Sequence, residues 1–210
     1  MRGKPRKLQL PERLRWNHNE WYRRRLLRQL PSGAGAALDV GCGLGDLARS
    51  IRADEVTAID ASARMIERAS ATSDRVRWIH GDVLTHDLER YDVVTAEASL
   101  HHLPLREGLA RLAALTKPGG TLVVVGLYLT ATWADRAVEL VALPANAVVG
   151  LAKAVRGTGG SPHDPEMPIV TTAPTLPEIR AAAAEIVPGA RIRRHVFWRY
   201  SLVWRAPEVH

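Results

Sequence analysis

Cysteine is almost absent. Cys42 is the only one in 210 residues, so no intrachain disulfide can form and no cysteine-based metal spacing exists. That usage suits a reducing compartment, and the expectation is a cytoplasmic protein. Phenylalanine is equally scarce, so any aromatic lining of a pocket must come from the six Trp and four Tyr. A long uncharged apolar run is missing too. The most apolar region, 121–155, is interrupted by Asp135, Arg136 and Glu139, with Pro144 and Lys153 beyond, so no clean membrane span emerges. The N-terminus is charged and lacks the apolar centre of a signal peptide. Acidic residues are rare in the first 30 positions, where ten Lys/Arg face only Glu12 and Glu20; residues 31–210 hold 19 Lys/Arg against 20 Asp/Glu. The net charge of +7 is therefore an N-terminal feature, and the near-neutral body disfavours a nucleic acid partner.

What is present is an alternation of strand and helix signals. AALDVG (36–41), EVTAID (55–60), RVRWI (75–79), YDVVTA (91–96) and TLVVVGL (121–127) are short, β-rich and bounded by Gly, Asp or Pro. Between them LGDLARSIR, SARMIERAS with Ser62 as cap, and PLREGLARLAAL have helical spacing, the last ending at KPGG. This order predicts an α/β fold: a doubly wound, Rossmann-like, mostly parallel sheet with helices on both faces. Residues 131–157 read as one or two helices, 157–177 as a Pro- and Gly-rich loop containing His163, PTLPEIRAAAAEIV as a helix, and the end as two short strands around Phe197 and Trp198. One domain over 1–210 is expected, with a basic arm and lid helix (1–32), a binding core (33–127), a helical and loop insertion (128–175) and a closing helix and strands (176–210).

The sharpest motif is LDVGCGLGD, 38–46. A strand runs into Gly41, Gly43 and Gly45, so the backbone can turn sharply and a ligand can come close. A dinucleotide fingerprint needs Gly or Ala five positions after the first glycine, but Asp46 stands there, and its charge would repel a pyrophosphate. The pattern suits a ligand without phosphates.

Over residues 36–127 the chain resembles the class I S-adenosylmethionine-dependent methyltransferases of the small-molecule branch, whose first motif, an acid two positions before GxGxG, is matched by Asp39 to Gly45. The resemblance implies a seven-stranded sheet with a C-terminal antiparallel strand and S-adenosylmethionine as cofactor. It also implies residue roles. Asp39 would orient the ammonium group of the methionine portion, and Gly41, Cys42 and Gly43 would admit its chain. Asp60, followed by Ala61, would take the ribose hydroxyls. Gly81, Asp82 and Val83 would meet the adenine, with Met65 packing on it, and Glu97 would offer its backbone. No metal is implied.

The family does not fix the methyl acceptor. The loop after the fourth strand should face the transfer site, making His101 a candidate base and His102 a substrate contact; proximity alone would suffice for an acidic acceptor. Tyr128 and Trp133 in the insertion favour a partly hydrophobic or aromatic small molecule, methylated on oxygen or carbon. Nucleic-acid or protein methylation through the basic N-terminus, and cofactor binding without catalysis, are the alternatives. The stretch RWNHNEWYRRRLLRQL (15–30) reads as a lid helix with Trp21, Leu26, Leu27 and Leu30 inward and Arg23, Arg24 and Arg28 wet. Trp16 and Tyr22 then become substrate contacts and His18 a second possible base. A monomer or a homodimer fits.

Overall fold

The computed structural model describes residues 18–129, 173–196 and 198–208. Trp16, Trp133, His163 and the expected 131–157 helices lie outside the described residues, as do the side chains of His18 and Trp21.

Seven strands form one sheet in the order β3-β2-β1-β4-β5-β7-β6. β1 (Ala34–Val40), β2 (Ala53–Asp60), β3 (Val76–His80), β4 (Tyr91–Glu97) and β5 (Thr116–Leu127) pair in parallel. β7 (Arg199–Arg205) is antiparallel to both β5 and β6 (Arg191–Arg194). The expected fold class, with its C-terminal antiparallel strand, is what the structure has. Chain order reverses between β1 and β4, so the loops leaving their carboxyl ends diverge and open a crevice between them.

Period-two alternation sorts the strand side chains onto two faces. Leu38, Val40, Val94, Ala96, Leu122 and Val124 pack with Leu109 and Leu112 of α3 (Leu105–Ala114) and with Leu176 and Ile179 of α4 (Leu176–Ile186). On the opposite face Ala37, Val93, Val123 and Val125 pack under Tyr22 and Leu26 of α1 (His18–Leu27) and under Leu47 and Ile51. Helices therefore cover both faces. α2 (Ala63–Ser70) starts where the Ser62 hydroxyl accepts from the Met65 amide, as expected. A reciprocal cap opens α4: the Thr175 amide donates to the Glu178 carboxylate at 2.7 Å, and the Glu178 amide to the Thr175 hydroxyl at 3.4 Å.

One expected helix is absent. LGDLARSIR forms only a 3-10 turn at Ala48–Ser50. Few residues separate the Gly45 turn from β2, too short a run to repay helix nucleation. The polar groups bond otherwise: Arg49 donates to the Leu44 carbonyl and the Asp46 carboxylate, while Leu47, Ala48 and Ile51 are buried against the sheet. β5 also starts earlier than predicted, at Thr116, so that KPGG lies inside the extended run, with a register shift opposite Tyr91 and Val93.

Candidate active site

Two loops define the crevice. β1 ends in Gly41, Cys42 and Gly43; the Gly41 amide donates to the Ile59 carbonyl at 2.8 Å, and Gly41, Gly43 and Gly45 all have positive φ, at 66°, 53° and 77°. The glycines do different work. A Cβ on Gly45 would lie 2.1 Å from the Trp78 ring, so this glycine makes room for the protein's own β3. A Cβ on Gly41 would collide with Ser99, whose hydroxyl donates to the Val40 carbonyl at 2.6 Å and stitches the β4 loop to the end of β1.

Asp39 is 1% exposed. Its Oδ1 accepts from the Thr95 hydroxyl at 2.9 Å, whereas Oδ2 is buried without a partner among the described residues. Burial, reinforced by the nearby Glu97 carboxylate and opposed by Thr95, Arg23 and the Ala48 amide, pushes its carboxyl up to about 7. Asp60 spends one bond on each oxygen: Oδ2 accepts from the Gly43 amide at 2.8 Å and Oδ1 from the Ser62 amide at 2.9 Å. It thereby ties the glycine loop to α2 and retains lone pairs for two further donors. Beyond β3, Asp82 is exposed and its Oδ1 accepts from the Leu84 amide at 3.0 Å. Arg111 of α3 holds that loop from below by donating to the Val83 and His86 carbonyls. Around these acids Ala61 is exposed, Gly81 half-buried, and Met65 and Val83 buried. Cys42 is half-buried, and burial first, then Asp39 and Asp60, raise its thiol, so it is no nucleophile at neutral pH.

On the β4 side, Glu97 is held by Arg23 of α1, whose Nε donates to Oε2 at 3.3 Å while its Nη2 reaches Asp46 at 3.2 Å. One guanidinium spans both loops. The sequence reading left Arg23 in solvent; its side chain is only 18% exposed. Burial raises Glu97 to about 7 against the influence of Arg23 and Arg199. Arg199, buried at the start of β7, was also missed, although alternation with Ser201 and Val203 places it on this face. His101 and His102 follow in a 3-10 turn with ring centroids 4.3 Å apart. Burial, then His102 and Arg199, lower His101 to about 4, and its Nδ1 is buried without a partner among the described residues. His102 sits at the exposed rim, where partial shielding from water lowers it and Asp60 opposes. Tyr22 does not face this crevice: its hydroxyl donates to the Val196 carbonyl at 2.7 Å and its ring lies 5.5 Å from His195, docking α1 on the C-terminal hairpin. Tyr128 is buried, and its amide donates to the Trp198 carbonyl.

Residues 37–120 match the family model described as a methyltransferase domain. Over 200 residues the chain is 36% identical to an uncharacterized methyltransferase of Mycobacterium tuberculosis, covering 91% of this chain and 98% of that one. The chain belongs to the class I S-adenosylmethionine-dependent methyltransferases. The methyltransferase is also 39% identical over 113 residues to the 27-O-demethylrifamycin SV methyltransferase of Amycolatopsis mediterranei, which covers 48% of this chain and 42% of that enzyme. Its fold is similar to that of the N-methyltransferase NodS of Bradyrhizobium japonicum in complex with S-adenosylhomocysteine, with a TM-score of 0.59, 18% identity and coverage of 93% and 91%. The residues of this methyltransferase fit its cofactor, S-adenosylmethionine. A buried carboxylate oxygen lacking a donor, at Asp39, suits an ammonium group, and Asp60 has acceptor capacity left for a pair of hydroxyls. Among the described residues no cluster has metal-ligand geometry, and no helix is long and apolar enough to cross a membrane.

Proposed function

We propose that this methyltransferase alkylates a small-molecule acceptor, on oxygen or carbon, in a crevice roofed by α1. The observation that carries the reading is Arg23: this arginine of the basic N-terminal segment points inward and bridges Glu97 and Asp46, tying α1 to both loops. A helix tied across the crevice suits a small acceptor better than a duplex or a protein surface. The likeness to the 27-O-demethylrifamycin SV methyltransferase, an O-methylating enzyme by its name, supports the same class across about half of this chain.

In this reading Asp39 takes the ammonium group, Asp60 the ribose hydroxyls and Asp82 the adenine amino group. Gly41, Cys42 and Gly43 lie along the methionine chain, and Ala61, Met65, Gly81 and Val83 along the adenosine. The cofactor supplies a methyl group on a positive sulfonium, whose transfer is an in-line displacement. The chain's own work is alignment and exclusion of water. Asp39 and Glu97 present negative charge beside the cationic ligand, and Arg23 keeps the roof in place. His101 is neutral at physiological pH and can accept a hydrogen bond from an acceptor O–H or C–H acid. Burial makes His101 a weak base, which would help an acidic O–H or C–H acceptor more than an aliphatic alcohol. His102 would touch the substrate from the rim.

Incubating the protein with S-adenosylmethionine and a panel of phenols, enols, alcohols, amines, RNA and protein, and reading methyl gain by mass spectrometry, tests the class. Methylation confined to the macromolecules would refute it. His101→Ala is expected to cut turnover of a phenolic or enolic acceptor roughly 10²-fold while S-adenosylhomocysteine affinity stays unchanged; retained turnover would assign the step to proximity alone.

A further inference from the structure

The geometry points to a second binding site, for a phosphate group, in the cleft between α1 and the β6–β7 hairpin. α1 has two working sides. Arg23 faces the glycine loop, whereas Tyr22, Arg25, Leu26 and Gln29, at helical spacing, line the cleft. The sheet supplies the other wall. β6 and β7 pair with Arg191 opposite Val203 and Arg193 opposite Ser201, so alternation sends both arginines to the face that also carries Val123 and Val125.

Three guanidiniums thus converge from two elements on one small cleft whose lining contains no carboxylate among the described residues. Like charges gathered without a counter-charge repel one another, and a dianion with several acceptor oxygens relieves this while using donors from several directions. Neutral donors sit among them: the Gln29 amide, and the Ser201 hydroxyl 2.8 Å from His195 Nε2. Burial, then Arg25 and Arg193, hold His195 at about 4, in keeping with a positive potential there. Charges on an edge strand also discourage strand-to-strand pairing. That accounts for Arg191 and Arg193 but not for Arg25 and Gln29 arriving from α1. Tyr22, Leu26 and Val123 are buried beneath, so room exists for a headgroup at the rim rather than for a long apolar body. A phosphate held here would join α1 to the hairpin on the side away from Arg23.

Titration calorimetry of the full chain with inorganic phosphate at constant ionic strength, with chloride as the balancing anion, is expected to show one saturable site. In Arg191→Gln/Arg193→Gln, both exposed positions, phosphate affinity should fall about tenfold or more. S-adenosylhomocysteine affinity of the same variant should not change, which separates this site from the cofactor crevice. Phenyl phosphate binding more tightly than inorganic phosphate would mean that the group is carried on a small ligand, and equal binding that it is free; both support the site. No saturable phosphate binding, unchanged affinity in the double variant, or equal affinity for acetate would overturn the assignment.

Discussion

Asp39 is a carboxyl whose surroundings oppose its charge. Its pKa rises from an ordinary 3.8 to about 7, chiefly through burial with Glu97 adding to it, and that of Glu97 from 4.5 to about 7, chiefly through burial. Both folded-state values lie above the unfolded ones. The stability these groups contribute is therefore fully present below about pH 4 and is lost as pH rises through about 7. Cofactor binding should run the other way, since an ammonium group prefers ionised Asp39. The increase in melting temperature produced by S-adenosylhomocysteine is expected to grow as pH rises through about 7. Asp39→Asn should abolish that growth, and Glu97→Gln should leave most of it; a pH-independent effect in the wild type would sink the assignment. Asp60 differs, being satisfied already by two backbone amides. Asp60→Ala removes a charged acceptor for the ribose hydroxyls, a net loss of about 1.5–3 kcal/mol. Calorimetry should show cofactor affinity roughly ten- to a hundredfold weaker.

At the scale of elements, α1 is the informative helix. The sequence pattern marked Leu26 as inward and the N-terminal segment as a lid, and α1 does lie over the sheet with Leu26 buried. What the pattern could not indicate is that Arg23 beside this stripe would meet two acids, Asp46 and Glu97, more than twenty and seventy positions away. Amphipathic spacing reports a helix's apolar side and is silent about charges at its border. Arg23→Ala leaves Glu97 buried without its hydrogen-bonded ion-pair partner, with only the Arg199 charge nearby. The expected loss is about 2 kcal/mol, between the small worth of an exposed pair and the cost of orphaning a buried one. Urea unfolding would read that loss, and faster amide exchange across α1 should accompany it. Arg23→Ala/Glu97→Gln should recover much of the stability, because the orphaned charge is gone. The missing helix after β1 has a different cause: LGDLARSIR has helical spacing, but the glycine turn and the early start of β2 leave too little chain.

At the scale of the molecule, the sheet order places β1 beside β4 and β7 beside β5, and the whole site follows from it. The β5–β7 junction depends on one small residue. A Cβ on Gly126 would lie 2.5 Å from the Tyr200 ring, which is fully buried. Gly126→Ala should therefore cost about 1–3 kcal/mol through overpacking, read as a lower urea midpoint. Cofactor affinity in the folded variant should be little changed, because the added methyl meets Tyr200 rather than Asp39 or Asp60. The basic N-terminal segment belongs to this scale too: at least one of its charges is consumed within the fold by the acids of two loops.

The amino-acid sequence alone determined the strand and helix alternation, the glycine turn after Asp39, the acids at Asp60 and Asp82 and the family they resemble. All of these are local patterns or ordered spacings along the chain. Tertiary structure alone decided which glycine serves the protein itself, as Gly45 does for Trp78, and which arginine closes the roof. It also turned Tyr22 from the crevice to the Val196 carbonyl and gathered Arg25, Arg191 and Arg193 around one cleft. Such pairings join residues far apart in the chain, and burial rather than residue type sets their energies, so no local periodicity carries them.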